Sequence, residues 1–381
     1  MAKFNPAVTE QPAYKITALQ DKAKALRDQG VDIINATIGD PKDDTPAEVQ
    51  QALVHALTSK SYSQYPSYIG SEELRMSIAN WASATHGIQL DPSHQIMACN
   101  GTKEAIYSFP MLFDWTKGQT ILIPSLSYPV YQMSATAMQI PTLNLPLTES
   151  SGFLPNLDAI EPSILKNAQL FWMNSPHNPT TAIASKSYLE ELVGLAEKYD
   201  FLVCSDECYN DLYASNQPAS ILEIDSEHWV CFRSLSKRSH MTGYRSGAIV
   251  SKNNALMGHL KKMRSPMGVG TPSFIQAAAT WSWADKAHVK THRDHYNQKR
   301  QKIKTAILSA GLDMFGGDAG FYMWVKSSRH SSSESLSQWF LDRGILVTPG
   351  TVFGPDGDPY IRMVFCLTDD VLDDCCQKIA H

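Results

Sequence analysis

Four short apolar runs in the middle of the chain have the pattern of buried β-strands. They are ILIPS (121–125), LFWMNS (170–175), FLVCSDE (201–207) and VCFRSLS (230–236). None of them alternates strictly between apolar and polar residues, which favours strands that are covered on both faces. The runs therefore predict a parallel sheet that is buried between two layers.

Amphipathic helical patterns lie before and between these runs. The segment Thr45 to Glu48 has the sequence of a capping box, with proline at the first helical position, and predicts a helix start. Two further helices are indicated by apolar residues three or four positions apart: Leu74, Ile78 and Trp81, and, after Ser185, Leu189, Leu192, Val193 and Ala196. Alternation of strands and helices predicts an α/β fold.

The pattern changes near residue 283. A charged segment, ADKAHVKTHRDHYNQKRQKIKTAI, predicts a long solvent-facing helix, and short strands such as GFYMWV (320–325) and YIRMVF (360–365) follow it. A chain of 381 residues is also too long for one core of ordinary size. We therefore predict a large domain over 45–282 and a smaller α+β domain built from 1–44 and 283–381.

Composition and charge exclude several classes of protein. Hydrophobic residues make up 43% of the chain and charged residues 19%, as in an ordinary globular protein. The net charge of −5 gives no reason to expect nucleic acid or an anionic membrane as a partner. No apolar run approaches the roughly 20 residues that span a bilayer, and the N-terminal residues lack the apolar core of a signal peptide. Seven cysteines without a CxxC pair predict a cytoplasmic protein.

Each of the four apolar runs is followed by polar side chains. The pairs are Ser125 with Tyr128, Asn174 with Asn178, Asp206 with Tyr209, and Ser236 with Lys237. In open α/β sheets the ligand binds outside the carboxyl ends of the strands. These residues are therefore expected to meet at one site although they are distant in sequence.

The lysine after the fourth run carries the strongest chemical signal. Burial lowers the pKa of an amine, which is what a lysine needs to form a Schiff base. The hydroxyls of Ser234 and Ser236, together with Arg245, could hold a phosphate next to Lys237. A surface loop with an incidental lysine is the alternative for a single match of this kind.

The segment from Ser234 to Gly247 resembles a known family. It has the form S-x-S-K-x(5)-G-Y-R-x-G and is similar to the signature of class I/II aminotransferases, which are fold-type I enzymes dependent on pyridoxal phosphate (PLP). The resemblance implies that Lys237 holds PLP as a Schiff base and then acts as general base and acid. Asp206, in a D-E-x-Y motif, would keep the pyridine nitrogen protonated, and Tyr209 would donate to the cofactor's phenolic oxygen.

Other segments match the same family in the expected order. Asn178 lies in NSPHNPT (174–180), which is similar to N-P-x-N-P-T-G, and would contact the phenolic oxygen and the substrate carboxylate. Two departures put the geometry of this turn in question: Ser175 interrupts the Asn-Pro pair, and Thr181 stands where glycine is usual. Tyr128 would stack on the pyridine ring.

The resemblance also implies a phosphate site and a dimer. The backbone amides of Thr102 and Lys103 and the Thr102 hydroxyl would bind the phosphate, with Gly101 allowing close approach. Tyr65 would reach across a homodimer interface to the partner's cofactor phosphate. At the substrate end, Arg362 would bind the α-carboxylate through its planar guanidinium, and Gly39 would offer its backbone.

The resemblance extends to a possible substrate. Four stretches resemble succinyldiaminopimelate transaminases of bacterial lysine synthesis: IGDPK (38–42), NGTKEA (100–105), SDECY (205–209) and SKRS (236–239). This implies N-succinyl-LL-2,6-diaminopimelate as donor, 2-oxoglutarate as acceptor and ping-pong kinetics. Lys42, Lys103 and Arg238 are candidates for the succinyl carboxylate because they are basic and lie near the site motifs.

Several alternatives stay open on the sequence alone. An aspartate or broad-specificity aminotransferase would share the cofactor residues, and so would a PLP-dependent carbon–sulfur lyase. A PLP-binding regulatory module is normally fused to a DNA-binding domain, and no basic helix-turn-helix segment precedes residue 40. His288, His292 and His295 have helical spacing and could bind a metal. The charged residues around them favour a solvated helix face, so we predict no metal site.

Overall fold

The computed structural model describes residues 3–9, 15–59 and 64–380. Its strands are β1 (Ile34–Asn35), β2 (Ile96–Cys99), β3 (Thr120–Pro124), β4 (Thr142–Leu145), β5 (Ala168–Asn174), β6 (Leu202–Asp206), β7 (Trp229–Ser234), β8 (Gly247–Val250), β9 (Asp313–Phe315), β10 (Tyr322–Lys326), β11 (Ile345–Leu346), β12 (Thr348–Pro349) and β13 (Ile361–Val364). Its α-helices are α1 (Pro6–Thr9), α2 (Lys15–Asp28), α3 (Ala47–Ser59), α4 (Glu72–His86), α5 (Thr102–Ser108), α6 (Val130–Ala137), α7 (Pro162–Asn167), α8 (Lys186–Tyr199), α9 (Leu235–Arg238), α10 (Asn254–Arg264), α11 (Ser273–Ala284), α12 (Ala287–Ser309), α13 (Ser333–Leu341) and α14 (Asp369–Ala380).

Seven of the described strands form one mainly parallel sheet in the order β2-β8-β7-β6-β5-β3-β4. The four predicted apolar runs are β3, β5, β6 and β7, which pair in parallel, whereas β8 runs antiparallel to its neighbours. Along β5, Phe171 packs into the core on one face and Trp172 into the core on the other. Burial on both faces explains why these runs do not alternate with polar residues. The predicted α/β fold is confirmed.

The predicted helices flank this sheet. The helix α8 begins after Ser185, whose hydroxyl accepts a hydrogen bond from the Tyr188 amide at 3.1 Å. The apolar stripes predicted on α4 and α8 are buried in the core. The predicted helix near residue 47 is present, but the Thr45 hydroxyl donates to the carbonyl of His240 at 2.8 Å, so the capping-box interpretation is wrong.

A four-stranded antiparallel sheet, β12-β13-β10-β9, lies against α12 and α14. The runs GFYMWV and YIRMVF form β10 and β13, as predicted. The N-terminal strand β1 pairs in parallel with β11, and the Val364 amide donates to the Ala36 carbonyl at 3.0 Å. The division into domains at residues 45 and 282 stays a prediction. None of the described helices has the length and apolarity needed to cross a bilayer.

The charged segment after residue 283 forms the predicted long helix, but only one of its faces is exposed to solvent. The helix α12 buries Val289, Tyr296, Ile303 and Ile307, and it also buries Lys299. The Lys299 ammonium lies 2.8 Å from the Asp43 carboxylate and donates to the Leu367 carbonyl at 2.6 Å. A buried cation with satisfied donors belongs to the core, although its residue type suggests the surface.

Candidate active site

A cavity of about 330 Å³ opens at the carboxyl ends of β5, β6 and β7. Twelve of the predicted site residues line it: Gly39, Thr102, Lys103, Tyr128, Asn178, Asp206, Tyr209, Ser234, Ser236, Lys237, Arg245 and Arg362. The parallel register brings these strand ends to one edge of the sheet, with Asn174 paired with Asp206. The cavity is thus where the strand-end rule places a ligand site.

Lys237 lies on the short helix α9, directly after β7. Its amine donates a hydrogen bond to the Gly39 carbonyl at 2.5 Å. Burial in the cavity lowers the pKa of the Lys237 amine because a desolvated ammonium is disfavoured. The amine is therefore closer to the neutral, nucleophilic form than a surface lysine would be.

Asp206, at the end of β6, is fixed by two donors. The hydroxyl of Tyr131 donates to Asp206 Oδ2 at 2.7 Å, and the amide of Cys208 donates to Oδ1 at 3.3 Å. Burial raises the pKa of the Asp206 carboxyl, while these hydrogen bonds oppose the rise. A cation placed beside this carboxylate would favour its ionised form further.

Tyr131 is a site residue that the sequence did not assign. Its ring stacks on Trp172 with centroids 4.6 Å apart and planes 4° apart, and it meets the Tyr128 ring edge-on. The spacing of Tyr131 in the Y-P-x-Y segment also suits an ordinary core aromatic, and the ring is indeed buried. The hydrogen bond to Asp206 shows that Tyr131 belongs to the site as well as to the core. This contact could be found only in the structure, because the two residues are distant in sequence.

Arg362 projects from β13 into the cavity. One guanidinium nitrogen donates to Asn178 Oδ1 at 2.8 Å, and the other terminal nitrogen donates to the Thr37 carbonyl at 2.5 Å. Its Nε is buried and has no hydrogen-bond partner among the described residues. A buried donor without a partner is unfavourable, so the guanidinium is ready to bind an anion such as a carboxylate.

A pair of tyrosines stands next to Arg362. The hydroxyls of Tyr209 and Tyr322 are 2.5 Å apart, and the Arg362 guanidinium lies 4.6 Å from the centre of the Tyr322 ring. Burial raises the pKa of Tyr322 to about 12, so both phenols are protonated near neutral pH. Tyr322 was predicted only as part of a strand, because no feature of GFYMWV distinguishes it from a core residue.

An anion-binding corner forms where α5 begins. Gly101 has φ +74°, and a Cβ atom at this position would overlap the Arg245 guanidinium. Arg245 donates to the carbonyls of Thr242 at 2.8 Å and Asn100 at 3.3 Å, which orients its side chain over the start of the helix. Behind the corner, Glu104 accepts from the Asn100 amide at 2.9 Å. Amides at a helix N-terminus beside a guanidinium suit a phosphate.

The turn that carries Asn178 keeps its shape despite its unusual sequence. Thr181 has φ +65°, the conformation for which glycine is normally chosen, and its hydroxyl accepts from the Gly317 amide at 2.7 Å. The Ser175 hydroxyl accepts from the Ala184 amide at 3.0 Å. The Asn178 amide donates to Asn174 Oδ1 at 2.7 Å, which completes the turn. The two departures are thus compensated by hydroxyl–amide bonds.

Some predicted residues do not meet the others in the cavity. Tyr65 is fully exposed and lies outside the cavity lining, so its role across a dimer interface stays a prediction. Arg238 is buried, with its guanidinium 5.1 Å from the Trp283 ring and 5.7 Å from the Trp81 ring. It is directed away from the cavity, and its candidacy for the distal carboxylate is wrong. Lys42 lies 3.0 Å from Asp40, which does line the cavity.

The histidines of α12 pack against the loop after Lys237, which contradicts the prediction of a solvated face. His288 lies 2.8 Å from the Ser239 hydroxyl, and the ring of His292 stacks on His240 with centroids 3.8 Å apart. Burial lowers the pKa of His240 to about 3 and that of His288 to about 4. Over the described residues, no group of three or more His, Cys, Asp and Glu side chains could hold a metal ion.

The residues in the cavity fit PLP, the cofactor that the family resemblance implies. Lys237 offers an amine to its aldehyde, and Asp206 offers a buried carboxylate to its ring nitrogen. The corner formed by Arg245, Thr102 and Gly101 offers donors to its phosphate, and the absence of a side chain at position 101 leaves room for the Arg245 guanidinium beside the helix start. The individual roles stay predictions, but the set of chemical groups is complete.

Comparison with known proteins agrees with this reading of the cavity. A family model described as aminotransferase class I and II matches residues 31–379. The LL-diaminopimelate aminotransferase of Aquifex aeolicus is 32% identical over 386 residues, covering 100% of this chain and 99% of the relative. That of Oleidesulfovibrio alaskensis is 34% identical over 376 residues, covering 97% and 96%. A double mutant of Thermus thermophilus aspartate aminotransferase shares the fold, with TM-score 0.92, 24% identity and coverage of 100% and 99%.

Proposed function

Because the chain belongs to the class I and II aminotransferase family and is a PLP-dependent aminotransferase, we propose that it transfers an amino group of LL-2,6-diaminopimelate to a 2-oxo acid. The names of the relatives support the free LL-diamino acid, whereas the sequence motifs alone suggested its N-succinyl derivative. The two donors are identical at the reacting carbon and differ only at the distal amine. Either donor would assign the enzyme to lysine biosynthesis, with 2-oxoglutarate as the predicted acceptor.

The observation that carries this proposal is the position of Lys237 and Arg362 in one cavity. Transamination needs an amine of lowered pKa that can react with an aldehyde, and a cation that holds the donor's α-carboxylate. The Lys237 amine and the Arg362 guanidinium supply these two groups, and burial lowers the pKa of the amine. Asn178, bonded to Arg362 at 2.8 Å, fixes the guanidinium with respect to the sheet.

Arg362 and Lys237 orient and deprotonate the donor. Arg362 binds the α-carboxylate in a two-oxygen geometry, which holds the Cα–H bond towards the Lys237 amine. The Lys237 amine would take the proton from Cα as a general base and would deliver it again as a general acid. The lowered pKa of Lys237 favours the neutral form that can accept this proton.

The remaining residues support the electron demand of the reaction. PLP supplies an electron-accepting ring when bound. Asp206 would keep the ring nitrogen protonated, and Tyr131 and the Cys208 amide hold both of its oxygens in place for this role. Tyr209 has a phenol of raised pKa and would therefore donate to the cofactor in its protonated form. Tyr128 lines the cavity with a half-buried ring and would stack on the cofactor ring.

We propose in addition that the active enzyme is a homodimer. Arg245 and Tyr65 are exposed in the single chain, although Arg245 lines the cavity. An exposed tyrosine next to Pro66, itself near Gly270, suits a contact with a second copy. Sedimentation of the purified protein measures the oligomeric state, and a monomer with full activity would contradict this proposal.

Steady-state kinetics test the proposed donor. LL-2,6-diaminopimelate, its N-succinyl derivative and aspartate are each supplied with 2-oxoglutarate, and the glutamate formed is measured. We expect the highest kcat/KM for LL-2,6-diaminopimelate. Faster turnover of aspartate or of the succinyl derivative would overturn the donor. Release of pyruvate and ammonia from cystathionine without a 2-oxo acid would instead indicate a carbon–sulfur lyase.

A chemical label tests the lysine itself. Borohydride reduction of the holoenzyme fixes the cofactor to its lysine, and digestion followed by mass spectrometry identifies the labelled peptide. We expect the label on the peptide that contains Lys237. A label on another lysine would contradict the assignment on which the proposed chemistry rests.

A further inference from the structure

We infer that Asp40 and Lys42 recognise the distal end of the donor. Asp40 binds its second ammonium group, and Lys42 binds its second carboxylate. This inference rests on the proposed function, because it concerns a donor with charged groups at both ends. It adds a specificity residue to the site, since Asp40 is not among the groups assigned above to the cofactor or to the α-carboxylate.

Asp40 belongs to the wall of the cavity formed by the N-terminal segment. Residues 37–40 line the cavity, and Gln20 of α2 lies beside them. Among the described residues that line the cavity, Asp40 and Asp206 are the acidic ones. Asp206 is fully engaged by Tyr131 and Cys208, whereas the Asp40 side chain keeps 38% of its surface exposed. Asp40 is therefore the carboxylate that a second ammonium group can reach.

The Asp40 carboxylate is charged and fixed in position. Burial alone would raise its pKa, but hydrogen bonds from Thr242 and Lys42 outweigh this effect and lower the pKa. The Lys42 ammonium lies 3.0 Å from Asp40 Oδ2 and is itself 47% exposed. Thr242 lies on the loop that follows Lys237, so the carboxylate is tied to the catalytic segment.

An ion pair of this kind is complementary to a zwitterion. The distal carbon of LL-2,6-diaminopimelate carries an ammonium and a carboxylate side by side, so they can face Asp40 and Lys42 respectively. The N-succinyl derivative has no distal ammonium and carries an additional carboxylate, which Asp40 repels. The pair therefore discriminates between the two donors by attraction to one and repulsion of the other.

The experiment compares two donors that differ in one group. L-2-aminopimelate has the carbon chain and both carboxylates of LL-2,6-diaminopimelate but lacks the distal ammonium. We expect D40N to lower the ratio of kcat/KM for LL-2,6-diaminopimelate to that for L-2-aminopimelate by about ten-fold, the effect of one charge-assisted hydrogen bond. Any effect of D40N on the pKa of the Lys237 amine is common to both donors, so the ratio isolates recognition of the distal ammonium.

A second measurement reports binding without turnover. Pimelate has no amino group, cannot react, and should inhibit competitively by placing one carboxylate on Arg362. Its inhibition constant should fall in D40N, because the repulsion of the other carboxylate is removed, and should rise in K42Q. The matched control is D373N, which breaks another partly exposed lysine–aspartate pair, Lys302 to Asp373 at 2.6 Å, outside the cavity lining.

The outcomes separate this inference from the proposed function. An unchanged donor ratio in D40N, or an equal loss with both donors, would overturn the inference and leave the proposed donor standing. A wild-type enzyme that transaminates other amino acids but not LL-2,6-diaminopimelate would overturn the proposed donor and the inference with it. A pimelate inhibition constant that moves equally in D373N would also overturn the inference.

Discussion

The two walls of the cavity are built in different ways. The wall formed by the ends of β5, β6 and β7 consists of buried side chains with several fixed partners, such as Asp206 between Tyr131 and Cys208. The N-terminal wall carries the half-exposed carboxylate of Asp40, which pairs with Lys42 outside the cavity lining. The first wall suits a reaction that is the same for every donor. The second is exposed enough to contact the part in which donors differ.

Replacement of Lys237 would break the first wall most severely. In K237A no amine remains to accept the Cα proton, and we expect kcat to fall by at least about 10³-fold. Single-turnover rates with LL-2,6-diaminopimelate measure the effect. The donor ratio used for D40N should not change in K237A, since that ratio reports on the other wall.

Arg362 comes second in expected effect. In R362K the charge remains, but the planar two-nitrogen geometry and the bond to Asn178 are lost, so we expect kcat/KM to fall by about 100-fold. All α-amino acid donors should be affected alike, which steady-state kinetics with three donors can check. A loss confined to diamino donors would instead show that Arg362 determines donor specificity, as proposed for the N-terminal wall.

Tyr131 tests whether buried hydrogen bonds tune the first wall. Y131F keeps the stacked ring and removes only the hydroxyl that Asp206 accepts, so we expect the dissociation constant of PLP to rise by about ten-fold. The effect should vanish in a D206N background. The control is Y188F, which removes a hydroxyl that donates to the Pro155 carbonyl at 2.7 Å, remote from the cavity.

Acid should weaken the packing behind the first wall before it affects the second. Burial lowers the pKa of His240 to about 3 and those of His177 and His288 to about 4, below the unfolded value near 6.5. At pH values between the folded and the unfolded pKa of a histidine, the unfolded chain binds more protons than the folded chain does. Each buried histidine therefore lowers the free energy of unfolding by about 1.4 kcal/mol per pH unit as the pH falls below about 6.5.

Urea unfolding at several pH values measures this dependence. H288Q should reduce the slope of stability against pH by the share of one histidine. A slope in H288Q equal to that of the unaltered protein would contradict the contribution of the buried histidines.

The same contrast explains what the sequence could predict. Strands buried on both faces leave a long apolar run, and each run ended where predicted, within about two residues. Helix α12 was misjudged because its buried face includes Lys299, whose partners Asp43 and Leu367 are distant in sequence. A charge pattern alone cannot reveal such partners.

Within the site, motif residues were predictable and their supporting partners were not. Lys237, Asp206 and Arg362 lie in recognisable segments, whereas Tyr322 and Tyr131 act through contacts with residues more than 70 positions away. Arg238 stands next to Lys237 in sequence, yet the turn of α9 directs it into the core between two tryptophans. Proximity to Lys237 in sequence therefore suggested a role in substrate binding that the position of the Arg238 side chain does not support.

The guanidinium of Arg362 has a mechanical consequence for recognition. It bridges Asn178, in the turn after β5, and Thr37 on the N-terminal segment. Its buried Nε remains available to an α-carboxylate, so both internal contacts can persist when a donor binds. The segment from Thr37 to Asp40 is thus anchored by the same group that would hold the near end of the donor, which fixes the distance between the two ends of the site.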